Sequence, residues 1–205
     1  MWVHRLVNFM LIGFVCSFAP LACAAVAVGQ AAPIFTGVAA DGTTINLDLL
    51  FGKTVVLEWT NHTCPKVAQQ YASGTIPKLQ QQAAAQGVVW LQVISTARGK
   101  HGYVDGASAK KLNAERGAVP ANTIIDGNGE IGRLYGVKHT PEFVVINAQG
   151  ELVYQGGIEN FPAAEHADAA QAENALSTVL ADLAAGRPVA KSNIQTYGCA
   201  VKYAS

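Results

Sequence analysis

The chain has 205 residues, with 14 Lys and Arg balanced by 14 Asp and Glu, so its formal net charge is zero. With no basic cluster in the mature part, we expect no nucleic acid as a partner, because nothing would neutralise the phosphates. Roughly 180 residues remain once an expected leader is removed, and this length favours one well-buried domain.

Residues 1–24 predict a secretory signal peptide. Arg5 precedes an apolar stretch, and Ala22 and Ala24 supply the small residues of a cleavage site. We therefore expect an exported, periplasmic protein that has no membrane attachment after cleavage. Two alternatives stay open: a lipid anchor on Cys23 and an uncleaved membrane anchor.

Apolar patterns in the rest of the chain predict alternating strands and helices. Pro77 should kink or split the first long helix. The alternation predicts an α/β layer with helices on both faces of a sheet. In chain order, the predicted elements are a hairpin at 37–47, a strand at 53–60, a helix from 64–65 to about 86, a strand at 88–95, a helix at 106–117, a strand at 122–126, a helical turn at 130–137, two strands within 139–158 and a helix at 163–186.

Removal of the leader leaves two cysteines, Cys64 and Cys199. Cys64 immediately precedes Pro65, where a helix is predicted to begin after a buried strand. The unpaired amides and the dipole of a helix start favour thiolate over thiol, and His62 and Lys66 could add positive charge. This placement predicts a nucleophilic cysteine, with a bridged structural cysteine as the alternative.

The tail could bring Cys199 to Cys64. From Gly186 the tail has 13 residues to reach Cys199, a span of up to about 43 Å if it is extended. Gly198 permits a close backbone approach, and residues 199–203 alternate like a short strand. Three arrangements stay open: a cycling pair in which Cys199 resolves an oxidised partner, a permanent disulfide, and an unpaired thiol.

Two segments carry a resemblance to a known family. "TNHTCP" at 60–65, between a strand and a helix, and "YGVKHTPEFVVINAQGELVYQG" at 135–156 resemble thioredoxin-fold proteins of the peroxiredoxin-like group, the redoxin or alkyl-hydroperoxide-reductase and thiol-specific-antioxidant family. The resemblance covers residues 28–185. It implies a thioredoxin-like α/β fold with a central mixed sheet flanked by helices, an N-terminal hairpin and a C-terminal tail, 186–205, which carries Cys199.

The resemblance also implies the residues of an active site. In thioredoxin-like proteins a "TP" pair before the penultimate strand holds a cis proline beside the reactive cysteine, and Thr140 and Pro141 match that pair. The implied catalytic set is therefore Cys64, Thr140 and Pro141, with Cys199 as a resolving candidate. No cofactor and no metal is expected.

The sequence departs from both relatives at defined positions. Thioredoxins carry a second cysteine three residues after the first, where this chain has Val67. Peroxiredoxins carry P-x-x-x-T-x-x-C, where this chain has Leu57 and Asn61, although Thr60 or Thr63 could replace the missing hydroxyl. Two antioxidant or thiol oxidoreductase reactions thus stay open: reduction of a hydroperoxide, and exchange with a thiol reductant or a disulfide protein partner.

The histidines and cysteines also allow a different class of function. His62 and Cys64 form an H-x-C pair, and His101, His139 and Cys199 could complete a copper or zinc site. The rival hypothesis is therefore a non-enzymatic module that binds a metal or a partner, with Cys64 as a ligand or as half of a structural disulfide.

Four further residues are weaker candidates for the site. Arg98 and Arg133 could stabilise a thiolate or a bound oxygen, or they could be ordinary surface residues. Glu58, in a buried run, could accept a proton beneath the helix, with a strand-end position in water as the alternative. Trp59 precedes the cysteine loop, and packing in the core is the alternative to a role in the site.

Overall fold

The computed structural model describes residues 26–159, 174–189 and 193–204. The predicted signal peptide and the first part of the helix predicted at 163–186 lie outside the described residues. Within the described residues, no helix is both long and apolar enough to cross a bilayer.

A six-stranded mixed sheet forms the centre of the fold. The strands are β1 (Thr36–Val38), β2 (Thr44–Asn46), β3 (Val55–Trp59), β4 (Val89–Ile94), β5 (Asn122–Ile125), β6 (His139–Thr140), β7 (Glu142–Ile146), β8 (Leu152–Gly156), β9 (Asn193–Ile194) and β10 (Cys199–Ala200). The order in the central sheet is β5-β4-β3-β7-β8-β9. Strands β3, β4 and β5 run parallel, whereas β7 is antiparallel to both β3 and β8. The predicted hairpin is the separate pair of β1 and β2, and β6 pairs with β10.

Five α-helices surround the sheet within the described residues: α1 (Pro65–Ala72), α2 (Thr75–Ala85), α3 (Gly106–Glu115), α4 (Glu130–Leu134) and α5 (Ala175–Ala184), with a 3₁₀ helix at Leu47–Leu50. The single long helix predicted after Cys64 is divided in two, as expected, but the break lies at Gly74. This glycine has φ of 76°, a left-handed conformation that ends a helix. Pro77 lies in the first turn of α2, where proline needs no amide donor.

Alternating side chains of β3 divide the core into two faces. Val56 packs with buried residues of α1, α2 and α5, and Glu58 points to the same face. Leu57 and Trp59 pack on the opposite face with Ile131 of α4. Each large apolar side chain buried in this way contributes about 1.5–3 kcal/mol to stability. The thioredoxin-like α/β fold, with a central mixed sheet flanked by helices, is confirmed.

Candidate functional site

A tight turn after β3 places Cys64 at the start of α1. The Asn61 side chain accepts hydrogen bonds from the Thr63 amide at 2.9 Å and the Thr63 hydroxyl at 2.8 Å. The Cys64 amide donates to the Asn61 carbonyl at 3.0 Å, and Cys64 has the extended backbone of a residue that caps a helix. Pro65 then begins the helix without losing a hydrogen bond. The sequence prediction of Cys64 at a helix start is confirmed.

The loop before β7 covers the Cys64 sulfur. The Thr140–Pro141 peptide bond is cis, as predicted. The Cys64 thiol donates to the Thr140 carbonyl oxygen at 3.2 Å, and Thr140 is itself buried. Only 1% of Cys64 is exposed, so a large substrate reaches this sulfur only after a neighbouring segment has moved.

That neighbouring segment is the C-terminal tail. Strand β10 runs antiparallel to β6 with Cys199 opposite Thr140. Gly198 makes the approach possible, because a Cβ atom at this position would lie 2.1 Å from the Thr140 carbonyl oxygen. The strand ends at Ala200, so it is shorter than the predicted alternation at 199–203. The structure thus brings Cys64, Thr140, Pro141 and Cys199 together.

The tail is also fastened beyond β10. The Tyr203 hydroxyl donates to the Val137 carbonyl at 2.8 Å. Arg133 donates to the Ala204 carbonyl at 2.6 Å, and its guanidinium lies 4.7 Å from the centre of the Tyr203 ring. Arg133 therefore holds the tail, and the hypothesis that it stabilises a thiolate or bound oxygen has no contact in its favour.

The two thiols differ in acidity because of their positions. Burial acts to raise the pKa of Cys64, but hydrogen bonds from the Cys199 thiol and from the amides of Val67, Cys199 and Lys66 outweigh it, so the pKa of Cys64 lies below its ordinary value. Burial and the hydrogen bond to Cys64 raise the pKa of Cys199 to about 11. Both residues are free thiols in the structure. Cys64 is therefore the more acidic thiol of the pair, and Cys199 is the less acidic one.

The hydroxyls proposed to replace the peroxiredoxin threonine are not directed at the sulfur. Thr63 donates to Asn61, as described above. Thr60 lies in a small cavity whose lining residues do not include Cys64. Arg98 stacks 5.6 Å from the ring centre of Tyr103. These contacts give no support to a peroxide-orienting role for any of the three residues.

Glu58 is fully buried beneath α1, so the alternative of a strand end in water is wrong. Its carboxylate accepts hydrogen bonds from Tyr71 at 2.6 Å, Gln80 at 3.1 Å and Trp90 at 2.8 Å. The Tyr71 hydroxyl also accepts from Gln92. The sequence pattern indicates only Glu58, because its hydrogen-bond partners come from three separate elements, α1, α2 and β4.

The remaining candidates have structural contacts. Trp59 is buried in the core and donates to Ser95 at 3.1 Å, which supports the packing alternative. His139 lies 3.1 Å from the Thr196 hydroxyl. Within 26–159, 174–189 and 193–204, no group of three or more His, Cys, Asp or Glu side chains could hold a metal ion.

Solved structures of other proteins share the fold of this chain. A hypothetical protein from Sinorhizobium meliloti 1021 is similar to the chain, with 17% identity and a TM-score of 0.76 over 88% of this chain and 97% of that one. An uncharacterized conserved protein from Geobacillus kaustophilus has 21% identity and a TM-score of 0.76 over 87% and 93%. The thioredoxin domain of a thiol-disulfide oxidoreductase from Bacteroides vulgatus has 19% identity and a TM-score of 0.51 over 64% and 89%. These likenesses establish the fold.

Sequence comparison gives the family. Among curated proteins, none matches the sequence of this chain. The sequence model of the redoxin family matches residues 27–176, which include Cys64 and the Thr140–Pro141 loop. The chain therefore belongs to the redoxin family, a family of thiol oxidoreductases.

Proposed function

We propose that this protein is a thiol–disulfide oxidoreductase that uses Cys64 as its nucleophile and Cys199 as its resolving thiol. The observation that carries the proposal is the position of the pair: β10 places Cys199 opposite Thr140, whose carbonyl oxygen accepts a hydrogen bond from the Cys64 thiol at the start of α1. The pair replaces the local C-x-x-C arrangement that Val67 rules out in this chain.

The two thiols supply the electrons and protons of the proposed reaction. The Cys64 thiolate attacks one sulfur of a disulfide substrate, forming a mixed disulfide and releasing the first product as a thiolate that takes a proton. Cys199 then gives up its proton and attacks the Cys64 sulfur, which releases the second product thiol. The substrate gains two electrons and two protons, and the protein is left with a Cys64–Cys199 disulfide. A thiol reductant or a protein dithiol restores the reduced pair by the reverse exchange.

The proposed cycle requires the tail to move while the core stays folded. Strands β9 and β10 each contain two residues, and within the described residues β10 pairs only with β6. Segments with few backbone pairings open at low free energy compared with the core. Opening exposes Cys64 to the substrate, and closing delivers Cys199 to the mixed disulfide.

Exchange is favoured over peroxide reduction by the surroundings of Cys64. Thr60, Thr63 and Arg98 have other positions or partners. We also propose that the protein is exported, on the basis of the predicted signal peptide, because disulfide chemistry belongs to oxidising compartments.

The reduced protein should be mixed in separate experiments with hydroxyethyl disulfide and with hydrogen peroxide at equal concentration. Peptide mapping then follows the loss of each free cysteine. We expect the disulfide to oxidise Cys64 and Cys199 together and faster than peroxide does. Faster oxidation by peroxide, with sulfenic acid at Cys64, would favour the peroxidase reaction, and no reaction with either would favour a binding module.

A further inference from the structure

A cleft beside α1 is not used by the proposed exchange. Its volume is about 450 Å³, and one wall is formed by the α1 residues Val67, Ala68 and Ala72. Leu112 of α3 forms part of the other wall, with His62 and Arg116 also in the lining. Because His62 and Val67 flank Cys64 in the chain, the cleft lies beside the first turns of the helix that carries the nucleophile.

A second, smaller cavity beside the cleft is lined by a buried hydroxyl that lacks a partner within the described residues. A small inner cavity of about 10 Å³ shares His62, Leu112 and Arg116 with the cleft and is lined by Thr60. Thr60 is only 2% exposed, and within the described part of the chain its Oγ1 atom has no hydrogen-bond partner. A cavity of this size holds one water-sized group, and a buried hydroxyl without a partner is costly. The site is therefore suited to one polar atom of a ligand.

A positive charge is fixed at the junction of the cleft and the inner cavity. The Arg116 guanidinium lies 3.8 Å from the centre of the Tyr71 ring, and its Nε and Nη2 atoms donate to the Asn113 side chain at 3.2 and 2.8 Å. Within the described residues Nη1 has no protein acceptor, so it is available to a ligand. Glu115 is the carboxylate in the cleft lining. Its Oε1 atom lies 3.8 Å from Nζ of Lys111, so the lysine partly offsets the negative charge of Glu115.

His62 adds a hydrogen-bonding group rather than a second charge. Burial, followed by the positive charges of Arg116 and His101, lowers the pKa of His62. Near neutral pH its imidazole is therefore uncharged, with one donor and one acceptor nitrogen. Arg116 is the cation that a ligand meets in this cleft, and Val67, Ala68, Ala72 and Leu112 provide apolar surface beside it.

We propose that this cleft binds the carboxylate end of a small acidic disulfide substrate, with the carboxylate on Arg116 and one of its oxygens accepting from Thr60. The inference rests on the proposed function, because it names the substrate class of the Cys64 exchange reaction. Charge complementarity selects the carboxylate, and the wall formed by Val67, Ala68, Ala72 and Leu112 accommodates a short apolar chain between the carboxylate and the sulfur.

The test compares three disulfides of similar size: dithiodipropionate, which is acidic, hydroxyethyl disulfide, which is neutral, and cystamine, which is cationic. We expect the reduced protein to react fastest with dithiodipropionate. In Arg116→Met the ratio of the acidic to the neutral rate constant should fall about tenfold or more, the effect of removing a hydrogen bond to a charged group. Arg98→Met is the matched control, because Arg98 also stacks on a tyrosine but lies outside the cleft lining, and it should keep the ratio.

Thr60→Val provides a second variant that does not disturb the Tyr71–Arg116 stack. It removes the unpartnered hydroxyl and nearly preserves the side-chain volume, so the fold should remain stable while the acidic preference falls several-fold. Thr60→Ser retains the hydroxyl and should retain the preference. The role of this hydroxyl would be contradicted if Thr60→Ser and Thr60→Val lost the preference for the acidic disulfide equally. It would also be contradicted if Thr60→Val kept that preference.

Binding of butyrate, measured by NMR on the intact protein, separates this inference from the proposed function. We expect butyrate to shift signals of His62 and Leu112 in the parent protein, and not in Arg116→Met. If these signals do not move, or if the three disulfides react equally fast, the carboxylate site is wrong and the exchange reaction stands. If butyrate binds but no disulfide oxidises Cys64, the site exists as a carboxylate site and the proposed exchange fails.

Discussion

Substitution of Gly198 by alanine should separate Cys199 from Cys64 without damaging the core. The added Cβ would lie 2.1 Å from the Thr140 carbonyl oxygen and 2.9 Å from its carbon, and both are backbone atoms that cannot rotate away. Because real Cβ atoms essentially never approach other atoms within 3.0 Å, β10 must withdraw from β6 by roughly 0.9 Å. A misplacement of about 1 Å can lower the rate of a positioned reaction by about 100-fold.

The backbone conformation adds to this effect. Gly198 has φ of 141°, which L side chains rarely adopt. Loss of the hydrogen bonds between β6 and β10 costs about 0.5–1.5 kcal/mol each. We therefore expect disulfide closure between Cys64 and Cys199 to slow by about 10- to 100-fold, since each 1.36 kcal/mol is a factor of ten in rate.

Stopped-flow reaction with a chromogenic aromatic disulfide measures the two steps separately. The first release of coloured thiol reports attack by Cys64, and the second reports resolution by Cys199. In Gly198→Ala the second phase should slow far more than the first. Gly186→Ala is the control, because Gly186 also has positive φ but has no atom near its added Cβ. An unchanged second phase in Gly198→Ala would refute the proposed role of the β6–β10 pairing.

Three further predictions concern the core, the tail and the acidity of the two thiols. Glu58→Gln should lower the free energy of unfolding by about 2–4 kcal/mol, because the amide cannot accept all the hydrogen bonds that converge on the carboxylate. Urea unfolding measures the change in free energy. A loss below about 1 kcal/mol would contradict the importance of these hydrogen bonds. Tyr203→Phe removes the hydrogen bond from the Tyr203 hydroxyl to the Val137 carbonyl, which anchors the tail. This variant should slow the second stopped-flow phase several-fold and leave the melting temperature of the core unchanged. A normal second phase would show that this bond does not position the tail. Iodoacetamide at neutral pH should label Cys64 before Cys199, because the pKa of Cys64 is lowered and that of Cys199 is raised to about 11. Labelling of Cys199 should rise only as the pH approaches that value. Labelling of Cys199 at a lower pH would contradict the assignment of Cys64 as the more acidic thiol.

Local sequence patterns predicted much of the fold. The apolar run at 53–60 corresponds to β3, and the proline after Cys64 indicated where α1 begins. Strand periodicity and helix starts depend on neighbouring residues, so they can be read from the chain itself. The sequence predicts the division at Pro77, whereas the structure has it at Gly74. Proline is tolerated in a first helical turn, and the sequence does not show that α2 starts at Thr75.

Contacts between distant segments could be predicted only in part. The length of the tail gave the distance that Cys199 can reach, but not its pairing with Thr140, which depends on the missing Cβ of Gly198 and on the anchoring of Tyr203. The cleft could not be predicted, because Thr60, His62 and Arg116 meet only when α3 packs beside the cysteine loop.

The most direct test of the central claim is mass spectrometry of the trapped intermediate. Reduced Cys199→Ser and Cys64→Ser proteins are each treated with hydroxyethyl disulfide and mapped by peptide. The proposed cycle predicts that Cys199→Ser accumulates a mixed disulfide at Cys64, that Cys64→Ser reacts slowly at neutral pH, and that the parent protein ends with a Cys64–Cys199 disulfide. A parent protein that never forms this disulfide, or a Cys64→Ser protein that reacts as fast as the parent, would contradict it.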